Sequence, residues 1–167
     1  MTPAQVDTVE LLSRLRALGA SVGVAESLTG GLVTAALSEP PGASATLRGG
    51  LVVYATDLKA SLAGVDAALL AEHGAVEADV ALALARGARD RLTARYGLGV
   101  TGVAGPDEQD GKPVGTVFAA IAGPAGETCR RVRADGDRPA IRAAAVQLCL
   151  RLLASECDRA EQALRSP

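Results

Sequence analysis

Over residues 5–18, Val6, Val9, Leu12, Leu15 and Leu18 recur at helical spacing, and Gly19 supplies a stop. The apolar run 22–25 reads as a short buried strand. Glu26, Ser27 and Leu28 then lead into Thr29-Gly30-Gly31, and helical spacing resumes over 32–39 until Pro40-Pro41-Gly42. The first unit is therefore strand, tight turn, helix. A second strand is predicted over 47–55, with Leu51-Val52-Val53-Tyr54 as its apolar run. Asp57 opens a short helix to Leu62, stopped by Gly64, and Asp66 is placed to cap the next helix. The longest helical pattern runs from Glu77 to Tyr96. After it come a strand over 98–103, a loop over 104–113 and a β-rich run over 114–122. A hairpin turn over 123–126 leads to an alternating strand over 128–134. Pro139 suits the first turn of a last helix reaching about Leu164.

Strands separated by helices favour parallel pairing, and the late hairpin adds an antiparallel pair. The pattern predicts an α/β protein, a three-layer α/β/α sandwich around a mixed, mostly parallel sheet, with residues 1–167 forming one domain. Sites in such folds collect beyond the carboxyl ends of strands. The loops 25–31, 54–59 and 101–115 qualify.

Composition narrows the function. Hydrophobic residues make up 49% and charged residues 22% of the 167, as in a globular chain, and the formal charge is −2. That charge, with only Tyr54, Tyr96 and Phe118 as aromatics, argues against nucleic-acid binding. No apolar run reaches membrane-spanning length, so no membrane partner is expected. Cys129, Cys149 and Cys157 match no zinc spacing, which fits a reducing cytoplasm. The single histidine, His73, precedes Gly74 at a helix end and cannot build a His-based metal site or the usual triad; no metal is expected.

Two glycine strings are decoys. Gly97-x-Gly99-x-x-Gly102 matches a dinucleotide fingerprint but falls within a predicted strand. Gly105 to Gly111-Lys112 has the wrong spacing for a phosphate loop, and Pro113 stands where Ser or Thr is needed. Ser27 is different, because it lies between a buried strand and a helix opening. There its hydroxyl can attack a carbonyl while nearby N–H groups hold the oxyanion. The alternative is that Ser27 or Thr29 is a helix N-cap. Of the seventeen basic residues only Lys59 and Lys112 are lysine. Under a coding bias toward Arg, a retained Lys points to work Arg cannot do, such as losing its proton. Lys59, five residues after Tyr54, is the candidate base. Thr56, one helical turn before Lys59, is a rival nucleophile.

Five blocks occur in order: Ala25-Glu26-Ser27-Leu28-Thr29-Gly30-Gly31; Tyr54 and Lys59; Thr101-Gly102-Val103-Ala104-Gly105-Pro106; Lys112-Pro113-Val114-Gly115-Thr116; and Gly136-Asp137-Arg138. Together, over about residues 5–155, they resemble the CinA C-terminal-domain family, which includes the nicotinamide mononucleotide deamidases, in its stand-alone form. The resemblance implies hydrolysis of the carboxamide of nicotinamide mononucleotide to nicotinate mononucleotide and ammonia, without cofactor or metal. It implies Ser27 as nucleophile, Lys59 as base and Tyr54 in support. Thr29, Gly30 and Gly31 would serve the oxyanion, and Gly102, Ala104 and Gly105 the substrate. Arg138 is the first match for the family's functional arginine, and Arg142 the second. A small-molecule nucleotide partner and a homo-oligomer are expected. Two departures stand out: Leu28 replaces the usual Cys, and Tyr54-Ala55-Thr56 replaces Tyr-Ser-Asn. The second motivates the alternative of a non-catalytic nucleotide- or protein-binding module associated with competence or DNA damage.

Overall fold

The structure, a computed structural model, describes residues 5–166. Five strands form one sheet: β1 (Val22–Glu26), β2 (Leu47–Val52), β3 (Tyr96–Gly102), β4 (Thr116–Gly123) and β5 (Gly126–Arg133), in the order β2-β1-β3-β4-β5. β1 pairs parallel with β2 and β3, while β4 pairs antiparallel with β3 and β5, so only β4 runs against the rest. The predicted mixed, mostly parallel sheet is present.

One face is covered by α1 (Thr8–Ala17), α2 (Leu32–Ser38) and α6 (Arg138–Arg165); Leu11, Leu15, Leu37 and Leu153 bury there against Leu98 and Ile121. The other face carries α3 (Thr56–Ser61), α4 (Ala67–His73) and α5 (Ala78–Arg91), with Leu84 and Val80 buried against Ala25 and Val53. Each such leucine, fully buried, contributes about 1.5–3 kcal/mol of transfer free energy.

Helix α5 lies directly on β3. A Cβ on Gly97 would stand 1.9 Å from the Ala85 carbonyl oxygen, and one on Gly99 2.3 Å from that of Ala81. Two of the three fingerprint-like glycines of β3, Gly97 and Gly99, therefore serve helix–sheet packing, while a Cβ on Gly102 would meet Thr116 O of β4 at 2.6 Å.

Three expectations are corrected. In α1 the inward stripe is Leu11, Leu12 and Leu15, and Val9 is 62% exposed, because the helix rolls Leu11 inward. The helix predicted to reach Tyr96 ends at Arg91; Tyr96 is instead buried and pairs with Val22, because a parallel neighbour 74 residues away claims it for the sheet. The longest helix is α6, at 28 residues.

The remaining outer elements follow their local signals. Asp66 accepts from Ala68 N–H as the α4 cap, and His73 closes that helix. Arg130, Arg131 and Arg133 lie exposed on the edge strand β5, as a solvated edge requires.

Candidate active site

β1 and β3 end side by side, and Ser27 continues their ladder by donating its N–H to Val100 O at 3.1 Å. The chain then turns sharply. Gly30 N–H donates to Ser27 O (3.0 Å) and Leu32 N–H to Thr29 O (3.1 Å). Gly30 and Gly31 have φ of 59° and 105°, the left-handed region where glycine alone is unstrained. Helix α2 starts immediately afterward.

The cap of that helix is Glu26. Its buried carboxylate accepts from Val33 N–H (2.9 Å), Thr34 N–H (3.0 Å) and the Thr34 hydroxyl (2.7 Å). The capping role left open between Ser27 and Thr29 thus belongs to neither. Ser27 instead lines a cavity. The Thr29 hydroxyl is fully buried with no hydrogen-bond partner among the described residues.

Lys59, on α3, is 1% exposed. Its Nζ donates to Val53 O (2.9 Å) and Tyr54 O (3.2 Å). Val53 N–H in turn donates to Glu26 O (2.8 Å), tying this segment to the strand end that carries Ser27. Burial lowers the pKa of the Lys59 ammonium from the usual lysine value, while the charges of Asp110 and Asp57 oppose that shift. A neutral amine has two N–H groups, which the two carbonyls match, and one lone pair left to accept a proton. No hydrogen bond joins the Ser27 and Lys59 side chains among the described residues. Thr56, the rival nucleophile, is exposed on the first turn of α3 and does not line the Ser27 cavity. The second lysine, Lys112, forms an ion pair with Glu77.

The cavity beside Ser27, about 210 Å³, draws on all three loops singled out from the sequence. Ser27, Tyr54, Gly102, Ala104, Gly105 and Arg138 line it together. Arg138 crosses its mouth, donating to Gly105 O (2.6 Å) and to the Tyr54 hydroxyl (2.8 Å). Arg142 lies elsewhere: its Nε donates to Leu28 O and its Nη2 to Thr29 O, both at 3.0 Å. It grips the turn from α6 and does not line the cavity.

Sequence reasoning missed Glu26 as the cap, and Asp107, Glu108 and Gln109 as cavity lining. Neither has a short-range signature. Glu26 reaches residues seven and eight positions on, and the acidic loop is brought in by a strap in which Asp110 accepts from Ala75 N–H (2.9 Å). Among the described residues, no group of three His, Cys, Asp or Glu side chains is disposed to hold a metal ion. Burial raises the thiols of Cys149 and Cys157, the latter to about 11, so neither is a thiolate nucleophile at neutral pH.

Fold and site define a three-layer α/β/α domain with a serine-bearing turn at the carboxyl edge of its parallel strands. The chain belongs to the CinA C-terminal domain family, whose profile matches residues 6–157. A CinA-like protein of Frankia casuarinae is 55% identical over 134 residues, which is 80% of this chain and 31% of that protein. One of Acidobacterium capsulatum is 47% identical over 150 residues, 88% of this chain and 36% of that protein. The chain thus spans about a third of the length of the curated relatives it matches. Among solved structures, a competence-damaged protein (CinA) superfamily member from Klebsiella pneumoniae 700603 superposes with a TM-score of 0.85 at 31% identity, covering 92% of this chain and 99% of that one. The competence/damage inducible protein CihA from Agrobacterium tumefaciens gives 0.83 at 38% identity, covering 93% and 98%.

Proposed function

We propose that this chain is a metal-independent amidohydrolase that deamidates nicotinamide mononucleotide to nicotinate mononucleotide and ammonia. The observation that carries the reading is Lys59: a fully buried amine on the Val53 and Tyr54 carbonyls, in a segment that Val53 N–H ties to Glu26, next in sequence to the serine that lines a polar cavity with Tyr54. Lys59 removes the Ser27 proton as Oγ attacks the carboxamide carbon, and the carbonyl electron pair moves onto oxygen. The intermediate collapses, the C–N bond breaks, and Lys59 returns the proton to the departing ammonia. Water, deprotonated by the same amine, hydrolyses the acyl-serine and regenerates Ser27. Arg138 offers a bidentate fork to the ribose phosphate, and Tyr54 positions it. No helix among the described residues is long and apolar enough to cross a membrane. A reducing cytoplasm and self-association complete the proposal.

The test is ammonia release from nicotinamide mononucleotide with chelator present. The wild-type chain is expected to release ammonia, while Ser27→Ala and Lys59→Arg, still folded, are not. Activity in Lys59→Arg overturns the role of the base, because Arg keeps the charge but does not give up its proton. One observation favours the second reading, a nucleotide-binding module without turnover. Ala55, at the N-cap of α3, offers no side-chain hydrogen bond where the family resemblance expects polar residues. Tight binding of the mononucleotide with no ammonia release decides for that module.

A further inference from the structure

The donors around Ser27 can be sorted by what they already hold. Ser27 N–H is taken by Val100 O, Gly30 N–H by Ser27 O and Leu32 N–H by Thr29 O. Val33 and Thr34 N–H, the usual anion-binding groups of a helix start, are taken by the Glu26 carboxylate. Among residues 27–34 of the turn and first helical turn, this leaves the N–H groups of Leu28, Thr29 and Gly31 without an acceptor among the described residues.

Arg142 acts on one of these three. In a trans peptide the C=O and the N–H of the same unit point in opposite directions. The Leu28 carbonyl and the Thr29 N–H share one peptide. With Arg142 Nε on that carbonyl at 3.0 Å, the Thr29 N–H is turned away from the guanidinium, and the cation polarises it toward greater donor strength. The second arm, on Thr29 O, fixes the next peptide and stops the turn from rotating. Gly30, beside Arg142 Nη2, supplies the left-handed φ of 59° that the turn takes there.

We infer that the oxyanion is held by donors drawn from the free Leu28, Thr29 and Gly31 N–H groups, and that Arg142 is the positioning residue that aims that of Thr29. The inference rests on the proposed acyl transfer at Ser27. It takes Gly30 out of the oxyanion site, adds Leu28 to the available donors, and assigns Arg142 to the turn and Arg138 to the substrate.

The test compares Arg142→Met and Arg142→Lys with the wild-type chain under steady-state turnover of nicotinamide mononucleotide. Oxyanion donors act on the transition state and hardly on the ground state. The expected result for Arg142→Met is a kcat lower by roughly 10–100-fold with KM unchanged, and partial recovery of kcat on adding guanidinium ion. Arg142→Lys, which keeps the charge but loses the fork, is expected to fall in between. A raised KM with kcat intact assigns Arg142 to substrate binding and overturns the inference. So does an unchanged kcat in whichever of the two variants folds.

A fluorophosphonate probe, which reacts with activated serines through a similar oxyanion, separates this inference from the choice of substrate. If the wild-type chain labels at Ser27 but does not turn over the mononucleotide, the substrate reading fails, and slower labelling in the Arg142 variants still supports the inference. Unchanged labelling overturns it. A wild-type Ser27 that reacts with neither overturns both.

Discussion

A Cβ on Gly97 or Gly99 would collide with the backbone of α5, whereas a Cβ on Gly31 would meet nothing nearer than Val52 at 3.8 Å. The difficulty at Gly31 is its φ of 105°, which a side chain resists in open space. The β3 glycines are there for volume and the turn glycines for backbone shape. The first group holds a helix against the sheet. The second bends the chain so that Ser27 lines the cavity while Glu26, one residue earlier, caps α2. Stability is concentrated in one region and chemistry in the other, and substitutions should separate them.

The largest effect belongs to Lys59→Met. Turnover is expected to fall by about 10³-fold or more, in the range that general-base groups supply. The fold should survive, because an apolar side chain takes the place of a buried amine. The pH dependence of stability carries the sign. The folded-state pKa of Lys59 lies below its unfolded value of 10.5, so between the two the unfolded chain binds the extra proton. Wild-type stability therefore gains a contribution as pH rises through that window and loses it as pH falls through the folded pKa. Denaturant midpoints across pH should show that slope in the wild type and lose it in Lys59→Met. In the wild type, kcat/KM should rise through the same folded-state pKa.

Gly97→Ala comes next. Its Cβ would overlap a backbone oxygen of α5, so unfolding free energy should drop by about 3 kcal/mol or more, with kcat per folded molecule unchanged. A stable Gly97→Ala would break the comparison. Gly31→Ala is expected to cost only about 1–3 kcal/mol of backbone strain, but to lower kcat through the distorted turn. Thermal unfolding and turnover measured together would show opposite profiles for the two alanines. The smallest change is Gly111→Ala, with φ of 70° and open space around it, at about 1–2 kcal/mol. It serves as the control for left-handed strain away from the Ser27 turn.

The Asp66 cap, the start of the last helix around Pro139, the β4–β5 hairpin and the glycine-stopped helices were legible in the chain because their signals act within a few residues. So was the strand–turn–helix around Ser27. Not legible was the end of α5, where Tyr96 leaves a helical pattern to pair with Val22. The separation of the two lysines was only half visible. Scarcity marked both, but burial against the Val53 and Tyr54 carbonyls distinguishes Lys59, while Lys112 holds a partly exposed ion pair.

The sequence by itself determined the order of elements, the glycine turn that follows Ser27 and the three loops that gather at one edge of the sheet. Hydrophobic period and turn chemistry are local properties of the chain. Only the tertiary structure decided that Glu26 occupies the helix N–H groups, that Arg138 faces the cavity, and that Arg142, 113 residues from Thr29, holds the back of the turn. Those assignments depend on which side of a packed helix faces which carbonyl. Such geometry exists only once α6 has docked against the sheet, and no spacing along the chain encodes it.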